Sequence, residues 1–292
     1  MASSKIVVGV DESAGSAEAL QWAVAEARLR DADVVAVLAW GFLDQHQISG
    51  VDFDPSYAEG DARKALDEFV ARAVGDEAAS HVMSMPICDL PVPALLEASA
   101  GADLLVVGAR GLGGFKGLLL GSVSQRCLHH TEIPIAVVRN VRAQGSSLGR
   151  VVVGVDNSSE ARRALRWAID EAARRGAQLD VVTAWEVPVV GGMPIATAAL
   201  DPEVSEQAAV DRLARAVRDE DTSSVTGTIR RIAVQGGPSS VLISRAEGAD
   251  LLVVGSRGHG ALGRMLVGSV ATQLSHHAPC PLVVVPPPPS GS

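Results

Sequence analysis

The chain has 292 residues, 47% of them apolar and only 3% aromatic, with a net charge of −9. That length suggests about two domains, with cores built mostly of Val, Leu, Ile and Ala. The acidic balance excludes a sequence-independent grip on nucleic acid, which needs a basic surface. No apolar run approaches membrane-spanning length, so no membrane contact is expected.

The first strand pattern, Lys5 to Val10, begins within a few residues of Met1, so no leader peptide is expected. Asp11 stands at its carboxyl end, and Ser13 or Ser16 can cap the helix that follows, Ala17 to Arg30. A second strand runs from Asp33 to Trp40. Pro55 to Val74 reads as a helix, His81 to Ile87 as a strand and Val92 to Ser99 as a helix. Leu104 to Val107 is a fourth strand, followed by a Gly-rich stretch, Gly108-Ala109-Arg110-Gly111-Leu112-Gly113-Gly114-Phe115-Lys116-Gly117, which ends at Gly121-Ser122. A helix from Val123 to His130 and a strand from Ile135 to Val138 complete the series.

The series then repeats. Ile6-Val7-Val8-Gly9-Val10-Asp11 returns as Val151-Val152-Val153-Gly154-Val155-Asp156, with Ser158 or Ser159 as the cap. Ala39-Trp40 returns as Ala184-Trp185, and His129-His130 as His276-His277. Asp11 to Asp156 is an offset of 145 and Gly108 to Gly255 one of 147, so a loop between Trp185 and Asp250 is longer by a net two residues. Two copies of one domain, at 1–140 and 150–286, account for this, joined by a polar linker at Val141 to Gly149.

Alternating strands and helices, with the strands as continuous apolar runs, predict an α/β fold with a parallel sheet covered on both faces. Ligands in such sheets lie at the carboxyl ends of the strands, where the strand order reverses. If the first and fourth strands are neighbours, Asp11 and the Gly-rich loop share that crevice.

Each loop reads Gly, two residues, Gly, nine residues, Gly-Ser: Gly108, Gly111, Gly121-Ser122, and Gly255, Gly258, Gly268-Ser269. A linker has no reason to hold that spacing twice. Backbone amides in such a loop, with a helix start behind them, suit an anion such as phosphate. Gly258 to Gly263 also spells GxGxxG, but it follows the fourth strand rather than the first and has no acid at the right distance. Asp11 and Asp156 are read either as turn and cap residues, or as acceptors for ribose hydroxyls or indirect Mg²⁺ ligands. Trp40 and Trp185 are read as core residues or as neighbours of a base. Arg110 and Arg257 are read as solvated cations or as phosphate contacts. The His pairs read as helix-end cations rather than metal ligands. Cys88, Cys127 and Cys280 fall in no metal pattern and read as reduced core thiols, which suits a cytoplasmic chain. Nothing resembles a nucleophile–base–acid set.

With these residues in place, the chain resembles the universal stress protein family in its tandem form. The double Gly spacing resembles its ATP-binding branch. The resemblance implies two Rossmann-like (flavodoxin-like) domains, each an open five-stranded parallel sheet in the order 3-2-1-4-5. The last strand would often mediate pairing, so a homodimer is expected. It implies ATP with Mg²⁺ as ligand. Asp11 and Asp156 would then contact ribose. The backbone at Trp40 and Trp185 would hold adenine, beside Val107 and Val254, and Gly9 and Gly154 would leave room for the nucleotide. The phosphates would meet Ser122, Val123 and Ser124 in one copy and Ser269, Val270 and Ala271 in the other. Ala271 lacks the hydroxyl of Ser124, which predicts a slightly weaker second site, by about 1 kcal/mol. The function implied is nucleotide-dependent regulation in a stress response, through an unnamed protein partner. A slow ATPase or adenylate-transferring enzyme, and a dimerisation module with vestigial sites, are the alternatives.

Overall fold

The structure, a computed structural model, describes residues 4–41, 58–112, 119–139, 149–156, 158–186, 189–190, 193–194, 202–258 and 267–288. The linker at 141–148, the loop centres 113–118 and 259–266, residues 55–57 and the tail from residue 289 lie outside these; the helix expected from Pro55 begins instead at Glu59, with Ala58 extended before it. The chain divides into two compact units, Met1–Val141 and Arg142–Ser292.

The first unit runs β1 (Ser4–Val10), α1 (Ala14–Arg30), β2 (Ala32–Trp40), α2 (Glu59–Val74), α3 (Asp76–Ala79), β3 (Val82–Cys88), α4 (Pro91–Ala98), β4 (Leu104–Gly108), α5 (Ser122–His130) and β5 (Ile135–Val138). All its strand pairings are parallel, in the order β3-β2-β1-β4-β5. The second unit runs β6 (Arg150–Gly154), α6 (Ser159–Arg175) and β7 (Gln178–Trp185). A two-residue antiparallel pair follows, β8 (Val189–Val190) with β9 (Met193–Pro194). Then come α7 (Pro202–Arg218), β10 (Ile229–Gln235), α8 (Pro238–Ala246), β11 (Leu251–Gly255), α9 (Ser269–His277) and β12 (Leu282–Val285). Its parallel order, β10-β7-β6-β11-β12, is the same path. Each domain is thus a five-stranded parallel sheet in the order 3-2-1-4-5, with helices on both faces.

The sequence explains the layering. β4 and β11 both read Leu-Leu-Val-Val-Gly, and their Leu and Val residues are buried on both faces of the sheet. Flanking helices cover those faces, which is the usual state of a parallel sheet. Leu20, Ala23 and Ala27 of α1 are buried, as are Leu165, Ala168 and Ala172 of α6, at helical spacing.

The caps resolve two open choices. Ser13 and Ser158 are the N-caps of α1 and α6, accepting from Ser16 N–H and Ala161 N–H at 3.1 Å each. That starts α1 at Ala14, three residues before the expected Ala17. Inside each helix a buried acid pairs with an arginine one turn on: Glu26 with Arg30, and Glu171 with Arg175. One thiol expectation needs correction. Cys127 and Cys280 are buried, but Cys88, at the end of edge strand β3, is exposed.

Candidate functional site

β1 and β4 are neighbours, with Ile6 opposite Leu104 and Val8 opposite Val106. Their carboxyl ends therefore open together, at the point where the strand order reverses. A cleft of about 850 Å³ lies there in the first domain.

Asp11 forms one wall of the cleft. Its Oδ1 accepts from Ser13 N–H (3.2 Å) and Ser13 Oγ–H (2.6 Å), so it buttresses the residue that caps α1. Its Oδ2 accepts from Leu112 N–H at 2.9 Å, which draws the Gly-rich loop to the end of β1. The turn reading of this aspartate and its place in the cleft hold together. Gly111 sits hard against it: a Cβ there would collide with Asp11 Oδ2. In the second domain a Cβ at Gly258 would lie 2.5 Å from Asp156 Oδ2, so the juxtaposition recurs. Asp156 Oδ1 likewise accepts from the backbone and hydroxyl of Ser158.

The loop returns to start a helix. Gly121 N–H donates to Ala109 O at 2.8 Å, and Gly268 N–H to Ser256 O at 2.7 Å. Gly121 and Gly268 are the N-caps of α5 and α9, in extended conformation, and neither helix has a side-chain cap. The amides of Ser122 and Val123, and of Ser269 and Val270, are therefore not taken by a side chain, in contrast to the serine-capped α1 and α6. An uncapped helix start behind a glycine loop presents donors and a positive dipole end.

Most of the expected residues converge on this cleft. Gly9, Asp11, Val107, Gly108, Arg110, Gly111, Gly121, Ser122, Val123 and Ser124 all line it. Trp40 stands one residue beyond Ala39, where the β2 lining among the described residues stops. Gly9 is less open than expected, since a Cβ there would lie 3.0 Å from Leu95 Cδ1; at Gly154 the matching neighbour is Leu242, at 2.7 Å. These glycines admit a leucine from the helix above. Gly108 and Gly255 admit the first turn of α1 and α6, whose Gly15 O and Glu160 C would lie 2.6 and 2.8 Å from an added Cβ. The hydroxyl of Ser124 donates to Gly108 O at 2.6 Å, tying α5 to β4. It thus acts first within the protein. At the matching point Ala271 is buried, as are Val254 and Trp185. Arg257 follows Ser256, and its Nε is buried with no hydrogen-bond partner among the described residues.

The sequence reading missed part of the lining. Val37 and Leu38 of β2, Leu90 to Pro93 and Leu95 at the start of α4, and Arg126 and His130 of α5 all face the cleft. Two signals were available. Leu90 to Pro93 follow the carboxyl end of β3, and Arg126 lies one helical turn beyond Ser122. Arg139, just after β5, donates to Leu119 O at 3.3 Å. Burial, and then the nearby charge of Arg110, hold its guanidinium below the usual value. Positive charge therefore gathers around this loop. Among the described residues no three His, Cys, Asp or Glu side chains are placed to hold a metal ion. No helix among them is long and apolar enough to cross a membrane.

The model of the universal stress protein family matches residues 3–139 and 148–286. A universal stress protein of Mycobacterium tuberculosis is 32% identical over 295 residues, covering 96% of this chain and 95% of the relative. One of Mycolicibacterium smegmatis is 31% identical over 299 residues, covering 97% of each. A crystal structure of a universal stress protein from Archaeoglobus fulgidus superposes with a TM-score of 0.70 at 22% identity, covering 98% of this chain and 99% of that one, and so shares the fold. With two family matches in line over two copies of one sheet, the chain belongs to the universal stress protein family as a tandem, two-domain member.

Proposed function

We propose that each domain binds ATP with its Mg²⁺, and that the chain is a nucleotide-dependent regulatory protein of the stress response. The observation that carries this is the repeated uncapped start of α5 and α9 behind the Gly-rich loop, with Asp11 or Asp156 across from it. The amides of Ser122 and Val123 would take phosphate oxygens, aided by the Ser122 hydroxyl and Arg110. Ser269, Val270 and Arg257 would do so in the second domain. Val37 to Ala39 and Val107 offer an apolar slot for the base, with the backbone next to Trp40 at its edge. Ribose hydroxyls would donate to Asp11, replacing the Leu112 amide now bound there.

That exchange supplies a switch. In this structure Leu112 N–H is bound to Asp11; a nucleotide releases that hydrogen bond and draws the loop to its phosphates instead. The loop surface then differs between the two states, and a partner protein reads the difference. The cytoplasmic location and the homodimer expected from the sequence belong to the same proposal, and light scattering that returned a single-chain mass would count against the dimer.

The test is mass spectrometry of nucleotide released from protein purified without added ligand, joined to calorimetry with MgATP. Two bound nucleotides per chain are expected. Gly121→Asp and Gly268→Asp should each remove one. A Cβ at these positions meets nothing closer than 3.6 and 3.5 Å, so the acid fits as an N-cap while its charge occupies the anion position. Wild-type protein that takes up no nucleotide at millimolar ATP would refute the proposal.

A further inference from the structure

The two phosphate loops match in glycine spacing and carry two cations each, Arg110 and Lys116 against Arg257 and Arg264, but the elements beside them differ in charge. In the first domain Arg110 and Arg126 both line the cleft, and both side chains are exposed. Arg126 stands one turn along α5 from Ser122, on the side of the uncapped amides. Arg139 lies behind them, close enough to feel the charge of Arg110. The late offset of 147 places Arg257, Gln273 and Pro286 at the corresponding positions of the second domain. Two of the three arginines are gone.

An acid has also been added. Glu160, in the first turn of α6, packs against Gly255, where the first domain has Gly15 against Gly108. Ser159 Oγ–H donates to its Oε2 at 2.8 Å, on the exposed side. Two arginines beside the loop, Arg126 and Arg139, thus have no counterpart in the second domain, where Glu160 is followed on α6 by Arg162 and Arg163.

Each added phosphate brings negative charge and further acceptor oxygens. Arg126 beside Arg110 rewards that addition, whereas Gln273, in the matching place beside Arg257, adds no charge. We propose that the two sites read different properties of the nucleotide: the first domain selects by the number of phosphates, through Arg126 with Arg110 and Arg139, and the second accepts mono-, di- and triphosphate almost equally. This rests on the nucleotide reading above. The first domain would then follow the phosphorylation state of the nucleotide pool, and the second its total size.

The experiment uses the full chain in two forms. Gly268→Asp leaves the first site to be read alone, and Gly121→Asp leaves the second. Each is titrated with ATP, ADP and AMP by calorimetry at low ionic strength. In the Gly268→Asp chain, affinity should rise from AMP to ATP by about tenfold per phosphate, the scale of one charge-assisted hydrogen bond. In the Gly121→Asp chain the whole series should stay within about threefold, less than half of one such bond. Adding Arg126→Gln to the first should shrink its series toward that of the second, and adding Gln273→Arg to the second should widen its series. The unaltered chain gives an independent reading, a two-step isotherm with ATP whose steps draw together with AMP.

Equal series in the two domains, no effect of Arg126→Gln, or silence from the second domain alone would overturn this inference and leave nucleotide binding standing. If neither form nor the unaltered chain binds any of the three, the nucleotide reading itself falls, and this inference with it.

Discussion

Five residues make predictions that need nothing beyond their immediate surroundings. Gly111 has no space for a methyl group beside Asp11, and Gly258 has little beside Asp156. Alanine at either position must push the carboxylate aside or open the loop. Gly111→Ala should weaken ATP binding in the first domain at least about tenfold, and Gly258→Ala in the second, as calorimetry would report. Glu12 has φ +61°, a left-handed conformation that only Gly, Asn and Asp adopt easily. The second copy has Asn157 at the matching position in sequence. Glu12→Asn should therefore stabilise the protein by about 1 kcal/mol, measured by urea denaturation. Burial pushes the Cys127 thiol up to about 12, while Cys88 is exposed. Iodoacetamide at pH 8 should modify Cys88 alone in the native protein, and mass spectrometry of the peptides would show it.

At the scale of elements, the second domain carries an ion-pair cluster that the first lacks. Asp180, buried on β7, accepts from Arg230 Nε (2.8 Å) and Nη2 (2.6 Å), from Gln178 Nε2 (2.9 Å) and from Arg150 Nη1 (3.3 Å). At the matching position in β2 stands Val35. Burial by itself would raise the pKa of Asp180, but its partners outweigh burial and hold it below the usual carboxylate value. A depressed carboxylate contributes stability above its unfolded value, and that contribution is lost as pH falls through the folded value. The second domain should thus weaken in acid from about pH 4 downward, where an unfolded aspartate titrates. Asp180→Asn should cost roughly 2 kcal/mol at pH 7, less than a fully buried pair because Arg230 reaches solvent. It should also flatten that acid slope, as followed by tryptophan fluorescence.

The strands were legible because a parallel sheet needs continuous apolar runs, and Leu104 to Val107 and Leu251 to Val254 supply them; their order came only from the family resemblance. Asp11 and the Gly-rich loop were legible because strand ends and glycine spacing leave local marks. Arg126 and Leu90 to Pro93 were not. A helix-facing arginine and an apolar turn look ordinary in sequence, and only the sheet topology brings them to one cleft. The start of α1 was misplaced by three residues because either of two serines, Ser13 or Ser16, could serve as a cap, and that of α2 by four.

For the whole molecule, duplication sets the expected stoichiometry, and linkage sets its thermal consequence. At MgATP about a hundredfold above its Kd, a site contributes about 2.7 kcal/mol. For domains of this size that raises Tm by about 5–10 °C, and differential scanning calorimetry should show both domains move. A double variant, Gly121→Asp with Gly268→Asp, should melt at the same temperature with and without MgATP.

The glycine caps of α5 and α9 carry a further consequence. A serine there would finish each helix within the polypeptide, at a gain of roughly a few tenths of a kcal/mol. With glycine, no side chain finishes the helix, and in the proposed reading a phosphate does. If nucleotide binds as proposed, the protein's lifetime follows energy supply: chains without it should be cut sooner near the starts of α5 and α9, which limited proteolysis with and without MgATP would read.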